Sequence, residues 1–301
     1  LNSAKQEQDV LKKGIHLYSG GLDSIVSAKL LLDQGIDLIG LHFVLPFFPL
    51  DYDPSSSHSS QIARQIGLKL RYIRCGEDYM AMAKNPSHGF GKQMNPCIDC
   101  KIFFMKKAAE IMKEEGAAFV STGEVVGQRP MSQMKNMLNH LIHETELEGK
   151  LLRPLSARIL KETDAEKEGI VDRNLLLDIS GRGRDRQMAL AAQYGITDYA
   201  ASAGGCLFTD PHIAVRIKDL YERHPDFTML DISLLSAGRH FRLGDHTTFI
   251  VPRNEEETTL LEKHKDEADL YLYSEFPGPS VFVRGPDSEE DIELLASFIS
   301  R

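Results

Sequence analysis

The chain has 301 residues, 42% of them hydrophobic and 26% charged, with no low-complexity run, the profile of a globular protein long enough for two domains. No stretch approaches the roughly 20 consecutive apolar residues of a membrane helix, and the polar opening LNSAKQEQDVLKK lacks the apolar core of a signal peptide, so a cytoplasmic protein with no membrane partner is expected. The formal net charge of −9 excludes a wholly basic nucleic-acid binder, and an RNA partner would need a local basic surface.

From Gly14 onward the pattern alternates. GIHLYS reads as a short buried strand, SIVSAKLLLDQG as a helix ended by Gly35, and DLIGLHFVL as a second strand. SSQIARQIG follows as a helix and LKLRYIR as a third strand; KIFFMKKAAEIMKEEG has helical spacing and closes at Gly116, and AAFVSTGE is a further strand. Strands alternating with helices predict an α/β fold with a doubly wound, mostly parallel sheet over residues 14–150. Ligands of such sheets sit at the carboxyl ends of strands. LYSGGLDS, LHF, RCGEDY and STGEVVGQRP all fall there.

Past Lys150 the character changes to short helices joined by arginine-bearing loops, a helical extension expected over residues 151–224 and carrying Cys206. HPDF, at residues 224–227, reads as a boundary. HFRLGDHTTFIVPR, DLYLYSE and PSVFVRG then read as strands, and EEETTLLEKHK and EEDIELLASFIS as helices, giving a small α+β module over residues 228–301.

The stretch after the first strand carries the chemistry. Gly20 and Gly21 let the backbone turn its N–H groups inward as an anion-binding nest, and Ser24 opens a helix whose N-terminus favours negative charge. Ser19 and Ser24 add hydroxyls, and Asp23 suits an anion site when it holds Mg2+ bound to phosphates. No G-x-x-x-x-G-K-[ST] occurs, which excludes a Walker loop. SGGLDS resembles the SGGxDS signature of the PP-loop ATP pyrophosphatases, whose fold is adenine nucleotide alpha hydrolase-like. That resemblance implies ATP cleaved between its α and β phosphates, with Ser19, Gly20, Gly21, Asp23 and Ser24 holding pyrophosphate and its metal. It also implies that the backbone of Leu41, His42 and Phe43 meets the adenine.

Four cysteines in a cytoplasmic chain are not expected to form structural disulfides. NPCIDCK puts Cys97 and Cys100 in a C-x-x-C at a helix start, Cys206 lies in the glycine turn AGGCLFTD, and Cys75 follows a strand. By itself the C-x-x-C leaves zinc, a redox pair and iron–sulfur ligation open. Within the superfamily, the pattern is similar to tRNA thiolation enzymes, the 2-thiouridylases and 4-thiouridine synthetases. One subgroup of these uses three cysteines to bind a 4Fe–4S cluster, which implies Cys97, Cys100 and Cys206 as ligands. The relay members use two cysteines, which would be Cys100 and Cys206, leaving Cys97 surplus. Cys75 reads as a thiol buried beside the sheet.

STGEVVGQRPMSQ resembles the strand end that closes the thiouridylase nucleotide site, which implies Thr122 and Gly123 near the ribose or α-phosphate and brings in Gln128, Arg129, Ser132 and Gln133. Lys101, Lys106 and Lys107 flank the cysteine motif. GRGRDRQ, residues 181–187, concentrates three arginines on a glycine turn, with Arg153 and Arg158 nearby, a local phosphate-binding candidate. The last 70 or so residues are weakly similar to NFACT-R RNA-binding modules, with Arg239, His240, Arg242, Arg253 and Arg284 as candidate backbone contacts; dimerisation or scaffolding fits that module equally.

The expected activity is therefore that of an ATP-dependent sulfur transferase, with catalysis by Cys97, Cys100, Cys206 and Asp23. It would adenylate a uridine or cytidine carbonyl in tRNA and replace oxygen by sulfur, taken from sulfide or a sulfur carrier. The competing readings are a PP-loop enzyme with a small-molecule substrate, a cluster-free persulfide thiolase, and a non-catalytic nucleotide-gated RNA-binding or redox-sensing protein.

Overall fold

The computed structural model describes residues 12–130, 132–199, 206–273, 278, 280–285 and 289–299. Two compact units emerge. The first comprises Leu1–Leu45, Asp53–Gly89 and Pro96–Gly204; the second comprises Pro46–Tyr52, Phe90–Asn95 and Gly205–Arg301. Among the described residues no helix is long and apolar enough to cross a membrane.

The first unit opens with β1 (Lys13–Leu17), α1 (Leu22–Leu32), β2 (Asp37–Val44), α2 (His58–Gln65) and β3 (Lys69–Arg74). It continues with α3 (Glu77–Lys84), α4 (Cys97–Glu114), β4 (Phe119–Thr122), α5 (Lys135–Glu144) and β5 (Leu151–Leu152), then α6 (Asp164–Lys167) and α7 (Asp185–Gln193). The five strands lie in the order β3-β2-β1-β4-β5, every pair parallel. Side chains of α1, α2 and α7 (Ile25, Leu31, Ile62, Ala191) pack with Leu38 and Phe119 on one face. Those of α4 and α5 (Ile102, Met105, Ile111, Leu141) pack with Ile15, Leu41 and Val120 on the other. This is the doubly wound α/β sheet expected from the alternating pattern. The chain runs outward from β1 to β3 and returns at β4, so the order reverses between β1 and β4, where such sheets place their crevice.

The second unit holds α8 (Pro211–Arg223), α9 (Met229–Leu234), β6 (Arg239–Leu243), β7 (Thr247–Val251), α10 (Glu255–Lys263), β8 (Leu270–Leu272), β9 (Val281–Arg284) and α11 (Glu289–Ile299). Its antiparallel sheet runs β6-β7-β9-β8. Leu230, Leu234 and Leu261 cover one face over Ile250 and Phe282. Leu295 covers the other over Phe249, Val281 and Val283. Polar side chains start these helices: Asp210 accepts from the amides of His212 and Ile213, and Asn254 from that of Glu257.

One buried histidine ties the three elements that frame the crevice. His16 on β1 has Nδ1 2.9 Å from Ser121 Oγ on β4 and Nε2 2.9 Å from the Ser24 carbonyl on α1. The carbonyl only accepts, so Nε2 carries the proton in the neutral ring. Burial lowers the ring's pKa from the ordinary 6.5 to about 4, partly offset by the Ser24 hydrogen bond. Between these values the unfolded chain takes up a proton that the folded protein refuses. The contribution of His16 is therefore present above pH 6.5 and is lost as pH falls toward 4, on the order of 3 kcal/mol in all. Urea midpoints of His16→Gln measured across this window should show a shallower pH dependence than wild type; an unchanged slope would contradict the assignment.

Candidate nucleotide and cysteine site

The turn after β1 is built as an anion cradle. Gly20 has φ +74°, and a Cβ there would lie 2.3 Å from Ser59 Cβ, so only glycine fits. Gly21 starts α1 without any side-chain cap, which leaves the first-turn amides for a ligand. The hydroxyls set the turn: Ser24 Oγ donates to the Gly21 carbonyl at 2.8 Å and lies 3.1 Å from Ser19 Oγ, while the Gly21 amide donates to Ser19 Oγ at 3.3 Å. Leu41 is interior, with its carbonyl accepting from Tyr18 N at 2.9 Å. His42 and Phe43 are half-buried; His42 Nδ1 lies 3.2 Å from the Tyr18 carbonyl, and Phe43 packs on Phe104 with ring centroids 4.3 Å apart.

Across the crevice, β4 ends in Thr122 and Gly123. A Cβ on Gly123 would stand 2.6 Å from Ser24 N and 2.7 Å from the Asp23 carbonyl carbon, both backbone, so the absence of a side chain permits this approach. The next residue, Glu124, is buried and gripped from two sides. Lys101 Nζ donates to Oε1 at 2.6 Å and Arg153 Nε to Oε2 at 3.0 Å. Burial would raise its pKa, but the charges of Lys101 and Arg153 and their hydrogen bonds outweigh it and hold the carboxyl at about 2. Lys101 also reaches the Ser132 carbonyl at 3.3 Å.

Residues 181–187 come to the same place. Val126 bridges Ser180, the Gly181 amide donates to the Val126 carbonyl at 2.8 Å, and Gly127, whose φ of +75° favours glycine, lies against Gly181. Burial raises the Asp23 pKa; Arg184, Gln128, Gln187 and Arg129 oppose that rise. No donor reaches Asp23 Oδ1 at hydrogen-bond geometry. Gln133 Oε1, Arg184 Nε and both amide atoms of fully buried Gln187 are likewise buried without a partner. Buried polar atoms are normally satisfied. A cluster of orphans around an uncapped helix start fits a bound anion, and the Asp23 oxygen fits a cation beside it. Arg182 is exposed, and Arg186 pairs with Asp178 at 2.7 Å. The sequence had marked 181–187 as a phosphate candidate; it gave no sign that Gln187 would stand beside Asp23, because the register of α7 on α1 is a long-range packing result.

None of the four cysteines is in a disulfide. Cys97 and Cys100 lie one turn apart at the start of α4, both partly exposed, with Tyr79 Oη 3.3 Å from Cys100 Sγ. Cys206 belongs to the second unit, its Sγ 3.8 Å from Asn95 Oδ1. Cys75 is buried, and burial, with Cys100 and Asp78 adding, pushes its thiol up to about 12, so it is neutral at ordinary pH. Among the described residues no three His, Cys, Asp or Glu side chains gather as a group that would hold a metal ion. Lys107 pairs with Glu110, and Lys106 is exposed.

In the second unit most of the candidate RNA contacts are committed internally. Arg242 pairs with Asp219, Arg253 with Glu257, and Arg284 with Asp231. His240 is held by the Leu234 and Ala237 carbonyls, its pKa lowered to about 4 chiefly by burial. Arg239 is exposed on β6.

The profile of the family described as thiamine biosynthesis protein (ThiI) matches residues 9–164, more than half of the chain, and that of the NFACT protein RNA binding domain matches residues 238–301. A "probable tRNA sulfurtransferase" of Thermococcus kodakarensis is 26% identical over 134 residues, 42% of this chain and 32% of that protein. A "tRNA-specific 2-thiouridylase MnmA" of Sulfurimonas denitrificans is 31% identical over 121 residues, 38% and 35% of the two chains. The chain thus spans about a third of the length of these curated relatives. Among solved structures, the U34-tRNA thiolase NcsA from Methanococcus maripaludis with its [4Fe-4S] cluster is 19% identical with a TM-score of 0.37, over 76% of this chain and 74% of that one.

Breaking the Glu124 grip leaves Arg153, 1% exposed, without a counter-ion. Glu124→Gln should therefore cost about 3–5 kcal/mol in urea unfolding at neutral pH. In wild type the ion pair's contribution is complete above pH 4.5 and declines as pH falls toward 2. A loss below about 1 kcal/mol, the range of an exposed pair, would show that Glu124 is not buried against both cations.

Proposed function

The chain belongs to the family described as thiamine biosynthesis protein (ThiI), and on that premise we propose that it is an ATP-dependent sulfur transferase that thiolates a base in tRNA. The observation that carries the reading is the set of unpartnered polar atoms on Asp23, Arg184 and Gln187 beside the uncapped start of α1. It is a site for a phosphate chain and its cation. Sulfurtransferase and 2-thiouridylase relatives supply the substrate class.

In this mechanism the loop amides from Gly20 to Ser24 and the Ser19 and Ser24 hydroxyls bind the β and γ phosphates. The base carbonyl oxygen attacks the α-phosphorus, the bond to the bridging oxygen breaks, and pyrophosphate leaves. Preorganised amides and Arg184 take up the charge that develops on it. Sulfur then attacks the base carbon, AMP departs, and a C=S group replaces C=O. The base must be unpaired or flipped to enter the crevice. Mg2+ would be held by Asp23, whose Oδ1 has no partner, and would supply charge neutralisation on the phosphates. Thr122 and Gly123 would lie against the ribose or α-phosphate.

Cys97 and Cys100, a turn apart on α4, fit two ligands of a 4Fe–4S cluster, whose open iron would offer sulfide; with Cys206 in a separate unit, no step is routed through a cluster here. Cys97 favours that donor over a two-thiol relay, in which it has no role. Anaerobic preparations should contain iron and acid-labile sulfide, both lost in Cys97→Ala; full activity of Cys97→Ala without iron would leave the Cys100–Cys206 persulfide relay. The internal pairing of Arg242, Arg253 and Arg284 favours one competing reading, a small-molecule substrate with no RNA surface in the second unit.

Two measurements decide these points. Nucleosides from total tRNA of a deletion strain should lack one thiolated species, restored by wild type and not by Asp23→Ala or Cys206→Ala; an unchanged profile would transfer the reading to a small molecule. Asp23→Asn should raise the melting temperature of the ligand-free protein, because it removes a buried carboxylate whose charge is poorly compensated. The same variant should release no pyrophosphate from ATP. A variant that is less stable than wild type, or one that retains pyrophosphate release, would remove Asp23 from the role of cation ligand.

A further inference from the structure

One constellation in the first unit has no part in the nucleotide chemistry. Asp99, the buried third residue of α4, lies between Cys97 and Cys100 in sequence but turns its carboxylate to the loop after α3. Oδ1 accepts from the Ser87 amide and from His88 Nδ1, both at 3.0 Å, and Oδ2 accepts from the His88 amide at 3.0 Å. Three donors on one carboxylate fix the ring. They also fix its tautomer, since Nδ1–H donates to Asp99 and Nε2 of the neutral ring keeps its lone pair.

That lone pair points at a second imidazole. His88 Nε2 lies 3.1 Å from Nε2 of His140 on α5, with the rings 74° apart. A pair of neutral rings in this arrangement shares one proton, carried by His140. The same separation is also the bite of a chelate: two metal–nitrogen bonds of about 2.0–2.1 Å at a near-tetrahedral angle span about 3.1–3.4 Å. Asp99 stands where the orienting carboxylate of a carboxylate–histidine–metal triad stands. His88 is exposed at the surface of the unit, so the remaining coordination positions open to water.

We propose that His88 and His140 form a two-histidine site for a borderline divalent transition metal of the Zn2+ class, with Asp99 as the positioning carboxylate. Binding requires that His140 shift its proton from Nε2 to Nδ1 and that the two rings tilt, by about 40° from the hydrogen-bonded line, so that both Nε2 lone pairs converge on the metal. The site closes the loop after α3 onto α4 and α5, the helix of the cysteine pair and its neighbour. It is independent of the proposed sulfur transfer.

The test uses the full chain, stripped with chelator and kept reduced, titrated with Zn2+ against a chromophoric competitor. A variant with Cys97, Cys100 and Cys206 all changed to Ser removes thiol ligands from the count. Expected is one Zn2+ per chain in this background, lost in His140→Ala and in His88→Ala, and weakened about 10–100-fold in Asp99→Asn. If the triple-serine variant fails to fold, zinc X-ray absorption on the unsubstituted chain at one equivalent decides instead, with an imidazole-rich nitrogen and oxygen shell expected. Absence of saturable binding below about 100 µM, binding unchanged in His140→Ala, or a sulfur shell at one equivalent would each overturn the proposal.

Discussion

The approach of Gly123 to the backbone of Asp23 and Ser24 governs where the other site residues can be. Because β4 ends against the first turn of α1, the segment that follows must leave over the anion cradle, carrying Glu124, Gln128 and Arg129 with it. The bridge from Val126 to Ser180 then brings in residues 181–187, and with them Arg184 and Gln187. One missing side chain thus allows three separate stretches of sequence to meet around Asp23. His16, bonded to both Ser121 and Ser24, holds the same junction from beneath.

Charge at the site is arranged in two opposite ways. Glu124 is buried with two cations in contact, so its ionised form is favoured and its role is to fix Lys101 and Arg153. Asp23 is mostly removed from water with no donor on Oδ1, so burial works against its charge. A satisfied carboxylate stabilises the fold, and an unsatisfied one costs stability that only a ligand returns. Two carboxylates of one crevice are thus told apart by their partners: Glu124 is paired twice, and Asp23 Oδ1 has no partner.

Much of the fold was legible from the sequence because both of its periodicities are strong. Apolar runs bounded by glycine placed β1 through β4 and α1, α2 and α4; in the second unit α10 and α11 were read near their observed limits, while β6 and β7 fell in one stretch and the three-residue β8 was read as longer. Helices α3 and α5 were not read from the sequence although their buried residues recur at helical spacing, and the shortest elements lack such a signal. Short α9, with its Thr228–Asp231 capping box, has only six residues, and the two-residue β5 is too short to show any period. At the site, SGGLDS announced itself, since glycines before a helix start have few other uses. Gln187 and the Asp99–His88–His140 relay did not, because nothing local distinguishes a glutamine or a histidine that meets its partner across the fold. The NFACT-R resemblance of the second unit was legible as well, but the pairing of Arg242, Arg253 and Arg284 with neighbouring carboxylates was not, because it joins residues that the sequence holds apart or gives no cue to pair.

The first turn of α4 links these parts. Within five residues it presents Cys97 and Cys100, fastens Asp99 to the loop at Ser87 and His88, and extends Lys101 to Glu124. Lys101 follows Cys100 directly, and Glu124 follows Gly123 directly, so the thiol pair and the end of β4 are joined through one ion pair and two peptide bonds. A helix start anchored at Asp99 and Lys101 cannot slide along its axis without breaking a buried bond at one of them. The position of the two sulfurs is therefore held in part by an ion pair to Glu124, the residue that follows the end of β4 at the crevice.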